Sequence, residues 1–94
     1  MVIRDKVSAI RKLESAERSD KAGLYNSANM FLFEAARHLG LVLTFSDEAH
    51  RTSGKGWAIS SGGQARSFGS PWEVQQVLWN LAQALNHDDI TRYW

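Results

Sequence analysis

The chain has no cysteine, a single proline and no long apolar run among its 94 residues. Without cysteine there are no disulfides, no thiolate metal sites and no cysteine nucleophile, so stability has to come from packing alone. The segment Met1-Val2-Ile3-Arg4 places a charge where a secretory signal has its apolar stretch, and no run reaches the roughly 18 apolar residues of a membrane span. We therefore expect a protein of a reducing compartment, with the cytoplasm as the default, and no membrane partner.

Neither sign of charge predominates, since the chain has eleven Lys and Arg and ten Asp and Glu. A balance so close to neutral does not by itself indicate nucleic acid or an anionic membrane as a partner. The apolar fraction of 44% and the charged fraction of 22% are typical of globular proteins. The length suits one domain with one core. We expect a single ordered domain over residues 1–94.

Two amphipathic helices are predicted in the N-terminal half. The first covers residues 2 to about 18, and its apolar stripe follows helical spacing: Ile3, Val7, Ile10 and Leu13. Ser19-Asp20 then predicts a break, with either residue able to cap the next helix. The second helix covers residues 21 to 39, places Leu24 on a broad apolar face, and ends at Gly40, which suits a left-handed residue after the last turn.

Three strands are predicted next. Residues 41–45 form a short β-prone run, and residues 56–61 and 64–68 flank Gly62-Gly63. Two glycines between such runs indicate a hairpin with a two-residue turn at positive φ. In that register Trp57 lies opposite Phe68 and Ile59 lies opposite Arg66.

A third helix starts at Ser70-Pro71-Trp72-Glu73, because this sequence combines a capping serine, proline in the first turn and a glutamate three residues after the cap. Its core stripe consists of Val74, Val77, Leu78, Leu81 and Leu85. The chain is thus predicted to be α+β, with two N-terminal helices, a three-stranded antiparallel meander that contains the Gly-Gly hairpin, and a C-terminal helix.

Asp47-Glu48-Ala49-His50 resembles the magnesium-binding box of nucleic-acid translocases. Such motors also need a phosphate-binding loop before the box. The only Gly-Lys pair here, Gly54-Lys55, follows the box, and Gly56 stands where Ser or Thr is required. We interpret Asp47 and Glu48 as solvated charges at a strand end.

The sequence supports neither a metal site nor a catalytic site. The clusters around His50 and around His87-Asp88-Asp89 lack two histidines at a spacing that would place them on one face. No Gly-x-Ser-x-Gly motif occurs, and the three histidines are scattered. We predict no enzymatic activity, no metal and no cofactor.

The far side of the third helix carries Trp72 and Trp79, about 140 to 160 degrees from the core stripe. Tryptophan on an outward face flanked by glutamines is typical of a protein-binding patch. The predicted contact residues are Trp72, Gln76, Trp79, Gln83, Arg92, Tyr93 and Trp94. The leading interpretation is a non-enzymatic module that binds another protein chain or itself, as an inhibitor, adaptor or self-associating regulator, and that would suit an accessory protein of a mobile element. Alternatively, Tyr93 and Trp94 fold back over the two tryptophans.

A nucleic-acid interface is the other open interpretation. No acidic residue occurs between Ala49 and Trp72, whereas three cations do. The predicted contact residues are Arg51, Lys55 and Arg66, with Trp57 available to stack on a base.

Overall fold

The computed structural model describes residues 5–84, and in this range it is an α+β fold of four helices and one three-stranded antiparallel sheet. The elements are α1 (Lys6–Lys21), α2 (Tyr25–His38), β1 (Val42–Phe45), α3 (Asp47–Ser53), β2 (Trp57–Ser61), β3 (Gln64–Phe68) and α4 (Pro71–Gln83). The predicted fold class is confirmed, with α3 as an additional element.

Asp5 caps the start of helix α1. Its carboxylate accepts hydrogen bonds from the Ser8 amide at 3.0 Å and the Ser8 hydroxyl at 2.6 Å. These bonds favour the charged carboxylate and lower the pKa of Asp5. The core-facing stripe is only partly the predicted one: Leu13 is buried and Ile10 packs against the core, but Ala9 and Ala16 are the other buried residues and Val7 is exposed. The predicted Ile3 lies outside the described residues. Alanines on the contact face allow helices to pack closely, so the buried side is not the side with the largest side chains.

The predicted break at Ser19-Asp20 is wrong, because α1 continues to Lys21 and ends in a turn with Gly23 at φ 77°. Neither residue caps α2. Leu24 stands at that position without a side-chain hydrogen bond, and it is exposed rather than buried. The buried face of α2 again consists mostly of alanines, with one leucine: Ala28, Leu32, Ala35 and Ala36.

The sheet has the order β1-β2-β3, and the hairpin register is confirmed, with Trp57 opposite Phe68 and Ile59 opposite Arg66. Gly62 and Gly63 take φ values of 54° and 87°, as a primed turn requires. One face of the sheet contributes to the core through Leu43, Trp57, Ile59 and Phe68. Helix α2 packs beside β1, helix α4 packs beside β2 and β3, and α1 packs against both helices.

Helix α3, over Asp47–Ser53, was not predicted. The Ser46 hydroxyl accepts a hydrogen bond from the Ala49 amide at 3.2 Å, and Gly54 closes the helix with φ 75°. Asp47 and Glu48 are exposed as expected, but they lie in the first turn of a helix rather than at a strand end. The helix has no buried residue, so no apolar stripe could reveal it.

Helix α4 begins as predicted, since the Ser70 hydroxyl accepts a hydrogen bond from the Glu73 amide at 3.3 Å. The Glu73 carboxylate accepts one from the Gly69 amide at 2.8 Å, one residue earlier than in the usual capping box. The buried stripe is Val74, Leu78, Leu81 and Ala82, and Val77 is only partly buried. The predicted Leu85 lies outside the described residues.

Substituting Ser70 with alanine should lower the free energy of unfolding by about 1 kcal/mol, because the Glu73 amide loses its side-chain acceptor. Urea unfolding followed by circular dichroism measures the change. Ser67→Ala is the control, since Ser67 is exposed on β3 and surface substitutions cost about 0.5 kcal/mol or less. Equal losses in the two variants would show that the cap does not stabilise α4.

Candidate protein-binding groove

Trp72 and Trp79 lie on α4 away from its buried stripe, with 62% and 37% of their surfaces exposed. Seven residues are almost two full turns, so both rings leave the helix on nearly the same side, about 10 Å apart along the axis. The predicted exposure of this face is therefore present in the fold.

The two rings are not isolated on the surface, because α1 lies beside them. Glu17 of α1 together with Trp72, Gln75, Gln76 and Trp79 of α4 lines a cleft of about 180 Å³. We call these five residues the tryptophan groove. A second cleft of about 110 Å³ adjoins it, because Trp72 and Gln75 line both, and Asp20 and Leu32 are among its other residues.

The groove has a defined position relative to the core. The Gln75 side-chain amide donates a hydrogen bond to the Leu13 carbonyl at 3.4 Å and links α4 to α1. The cap at Ser70 fixes the first turn of α4, which carries Trp72. Glu17 is held by Lys21 at 3.2 Å, one turn along α1. Two groove residues are thus held by neighbours that the structure describes.

Glu17 and Gln75 were not among the predicted contact residues. Glu17 lies 55 positions before Trp72 in the chain, and only the packing of α1 against α4 brings the two together. Gln75 is on the predicted helix, but nothing local shows that its amide reaches the α1 backbone. Neither residue has a sequence signal that could have placed it in the groove.

The chemistry of the groove suits contact rather than bond breaking. Two indole rings supply apolar surface and an N–H donor each, and two glutamine amides supply neutral donors and acceptors. The five residues include one carboxylate and no serine, threonine, lysine or histidine, so they do not pair a nucleophile with a base. The groove is therefore an aromatic surface bordered by two neutral glutamine amides and by the Glu17 carboxylate.

The other residues predicted for this interface do not all line the groove. Gln76 lines the groove as expected. Gln83 is exposed in the last turn of α4 but does not line the groove. Arg92, Tyr93 and Trp94 lie outside the described residues, as does the alternative in which the tail covers the tryptophans.

The nucleic-acid interpretation loses its stacking residue. Trp57 is only 6% exposed, and its ring lies between Phe33, at 5.7 Å, and Phe45, at 4.9 Å. The expectation that Trp57 is free to stack on a base is wrong, because its side chain points to the core face of the sheet.

The three cations of that interpretation are all exposed. Arg51 shares the short helix α3 with Asp47 and Glu48. Lys55 follows Gly54, and the Gly54 carbonyl lies close to Gly69. The Gly69 amide donates a hydrogen bond to the Glu73 carboxylate. Arg66 lies over the Phe68 ring at 5.3 Å.

Two further features of the described residues bear on function. Among residues 5–84, no three histidine, aspartate or glutamate side chains come together as metal ligands would. In the same range, no helix combines the length and the apolar character needed to cross a membrane.

Comparison of the chain with protein-family models, with curated proteins and with solved structures finds no match.

Proposed function

We propose that this protein is a non-enzymatic protein-binding module and that the tryptophan groove is its contact surface. The observation that carries the proposal is the exposure of 62% of Trp72 beside Trp79 in one cleft. A tryptophan side chain buries 150 to 250 Å² when covered, so two neighbouring exposed rings leave a large favourable burial unused. A partner that covers them gains that burial.

The composition of the groove supports a protein partner. Hot spots of protein interfaces are enriched in tryptophan and lie within rims of weaker polar contacts. Gln75 and Gln76 provide such a rim without the desolvation cost of charges. An inhibitor, an adaptor or a regulator would each use such a surface, and each belongs within this proposal.

Preorganisation supports the proposal as well. Both tryptophans are on one capped helix, and Gln75 ties that helix to α1. Association therefore costs little ordering of the backbone on this side of the interface, which leaves more of the buried area as net affinity.

The first experiment locates the contact. A photo-crosslinking amino acid placed at Gln76, inside the groove, is compared with the same amino acid at Tyr25, which is 64% exposed on α2. We expect a crosslinked protein at Gln76 that is absent at Tyr25. Identical products at both positions, or none at Gln76, would contradict the proposal.

The second experiment measures affinity for the crosslinked protein in purified form. Trp72→Ala combined with Trp79→Ala should weaken binding at least 100-fold, since each hot-spot tryptophan is worth about 2 kcal/mol or more. Tyr25→Ala is matched in exposure and should change affinity less than about threefold. Circular dichroism should show the double variant folded. If it unfolds, Gln76→Lys tests the same surface without removing a ring, and unchanged affinity in that variant would refute the proposal.

A further inference from the structure

Within residues 5–84 no further strand pairs with either edge of the sheet, and the hydrogen-bond pattern shows which groups β1 presents at its own edge. The Ser46 amide donates to the Gly56 carbonyl at 2.9 Å and continues the β1–β2 register. Bonded and non-bonded pairs alternate along an antiparallel ladder. Val42 and Thr44 therefore direct their backbone groups to β2, whereas Leu43 and Phe45 direct theirs away from the sheet.

Those outward groups are unused within the described chain. Outside the β1–β2 ladder, in which the alternation leaves Leu43 and Phe45 unbonded, no backbone hydrogen bond within residues 5–84 involves either residue. Each residue has one N–H donor and one C=O acceptor, so the edge presents two donors and two acceptors. A β-strand added at the edge satisfies such a row of backbone donors and acceptors.

The other edge differs in charge. Along β3 the outward backbone groups belong to Ala65 and Ser67, and the exposed Arg66 lies between them. A charged side chain on an edge strand opposes pairing with another strand. Residues 39–45 contain no charge at all, so two copies of β1 can approach each other without repulsion between their own side chains.

Apolar side chains flank the β1 edge on both faces. Val42 is 59% exposed on the outer face, and Phe45 is 42% exposed on the core face beside Trp57. A strand added at this edge would cover part of the exposed surface of both side chains, and neither residue lines the tryptophan groove. Pairing here is thus favoured by apolar burial as well as by hydrogen bonds.

We infer that β1 pairs with β1 of a second copy, antiparallel, with a two-fold axis through Thr44, so that two three-stranded sheets become one of six strands. In this register Leu43 lies opposite Phe45 of the second copy, and Phe45 lies opposite its Leu43. Two bonded pairs with two hydrogen bonds each satisfy every outward group of both edges. A second copy is the occupant because the edge is complementary to itself under this rotation.

The dimer leaves the tryptophan groove accessible. Helix α4 packs beside β2 and β3, and α2 is the helix beside β1. The groove between α1 and α4 is therefore not part of the β1 edge, and a dimer would carry two grooves. This inference does not depend on the proposed function, because the β1 edge contains none of the groove residues.

The test uses a matched pair of substitutions on the outer face. Thr44 and Ser67 are both exposed and both lie opposite Ala58, on β1 and β3 respectively. Thr44→Lys places two like charges directly across the two-fold axis and should weaken the dimer at least tenfold. Ser67→Lys should leave it unchanged. Sedimentation equilibrium of the full chain over a concentration series measures both effects.

A second measurement exploits the absence of native cysteine. Thr44→Cys places one thiol on the two-fold axis, where a non-bonded antiparallel pair has its Cα atoms about 4.5 Å apart, within disulfide range. With oxidised glutathione we expect a covalent dimer from Thr44→Cys and none from Ser67→Cys.

Three results would overturn the inference. The first is a wild-type chain that stays monomeric up to about 1 mM, because self-association weaker than this is not specific. The others are a dimer that Thr44→Lys leaves intact and equal crosslinking of the two cysteine variants. A dimer abolished by Trp72→Ala with Trp79→Ala but not by Thr44→Lys would place self-association in the groove instead. That outcome would refute the β1 interface and support the proposed function.

Discussion

Replacing Trp57 with alanine should lower the free energy of unfolding by about 3 to 5 kcal/mol, the usual cost of removing a large buried aromatic ring. The ring is 6% exposed and lies in the aromatic row between Phe33 and Phe45. Removing it leaves a cavity where α2 meets the sheet, and both neighbouring rings lose a contact partner.

Trp72→Ala is the matched control, because the residue type is the same and the exposure differs tenfold. With 62% of Trp72 exposed, its removal should cost about 0.5 kcal/mol or less. Urea unfolding followed by circular dichroism measures both changes; tryptophan fluorescence is unsuitable, since each variant removes a fluorophore. Similar losses in the two variants would mean that Trp72 is covered in solution and belongs to the core.

Trp57→Ala also tests the stacking role that the nucleic-acid interpretation gives to Trp57. If Trp57 stacked on bases, Trp57→Ala would weaken oligonucleotide binding while leaving stability unchanged. The burial of Trp57 predicts the reverse, a loss of stability without a specific loss of oligonucleotide binding. The sequence could not show this, because Trp57 is in a strand whose two faces are set only by the helices that pack on one of them.

Features determined by local chemistry could be predicted from the sequence. The hairpin register follows from Gly62 and Gly63, which take positive φ without steric cost, and the start of α4 follows from Ser70. Both signals operate within four residues. The outward position of Trp72 on its helix follows from helical spacing in the same way.

Features determined by packing could not be predicted from the sequence. The buried stripe of α1 uses Ala9 and Ala16 rather than Val7, since close helix contact favours small side chains over large ones. The groove required Glu17 from a helix far away in the sequence. Helix α3 buries nothing, so hydrophobic periodicity, the main sequence signal for a helix, is absent from it.

Gly56→Ala should lower the free energy of unfolding by about 2 to 3 kcal/mol, the upper range for overpacking a well-packed site. A Cβ at this buried position would lie 2.7 Å from the Cβ of His50, 2.8 Å from the Phe45 ring and 2.8 Å from the Ser46 carbonyl oxygen. Two of these atoms are backbone or attached directly to it, so rotating a side chain cannot relieve the contact. The α3 helix has to move relative to β2.

The comparison that isolates this effect is Gly69→Ala, where the nearest atom, the Gly54 carbonyl oxygen, would lie 3.1 Å away. A shift of a few tenths of an ångström relieves that contact, so the cost should be clearly smaller than at Gly56. Urea unfolding of both variants measures the difference. Because α3 has no buried residue of its own, its place beside the sheet depends on the absence of a side chain at Gly56. Equal stability of Gly56→Ala and the wild type would therefore mean that α3 does not pack against this glycine.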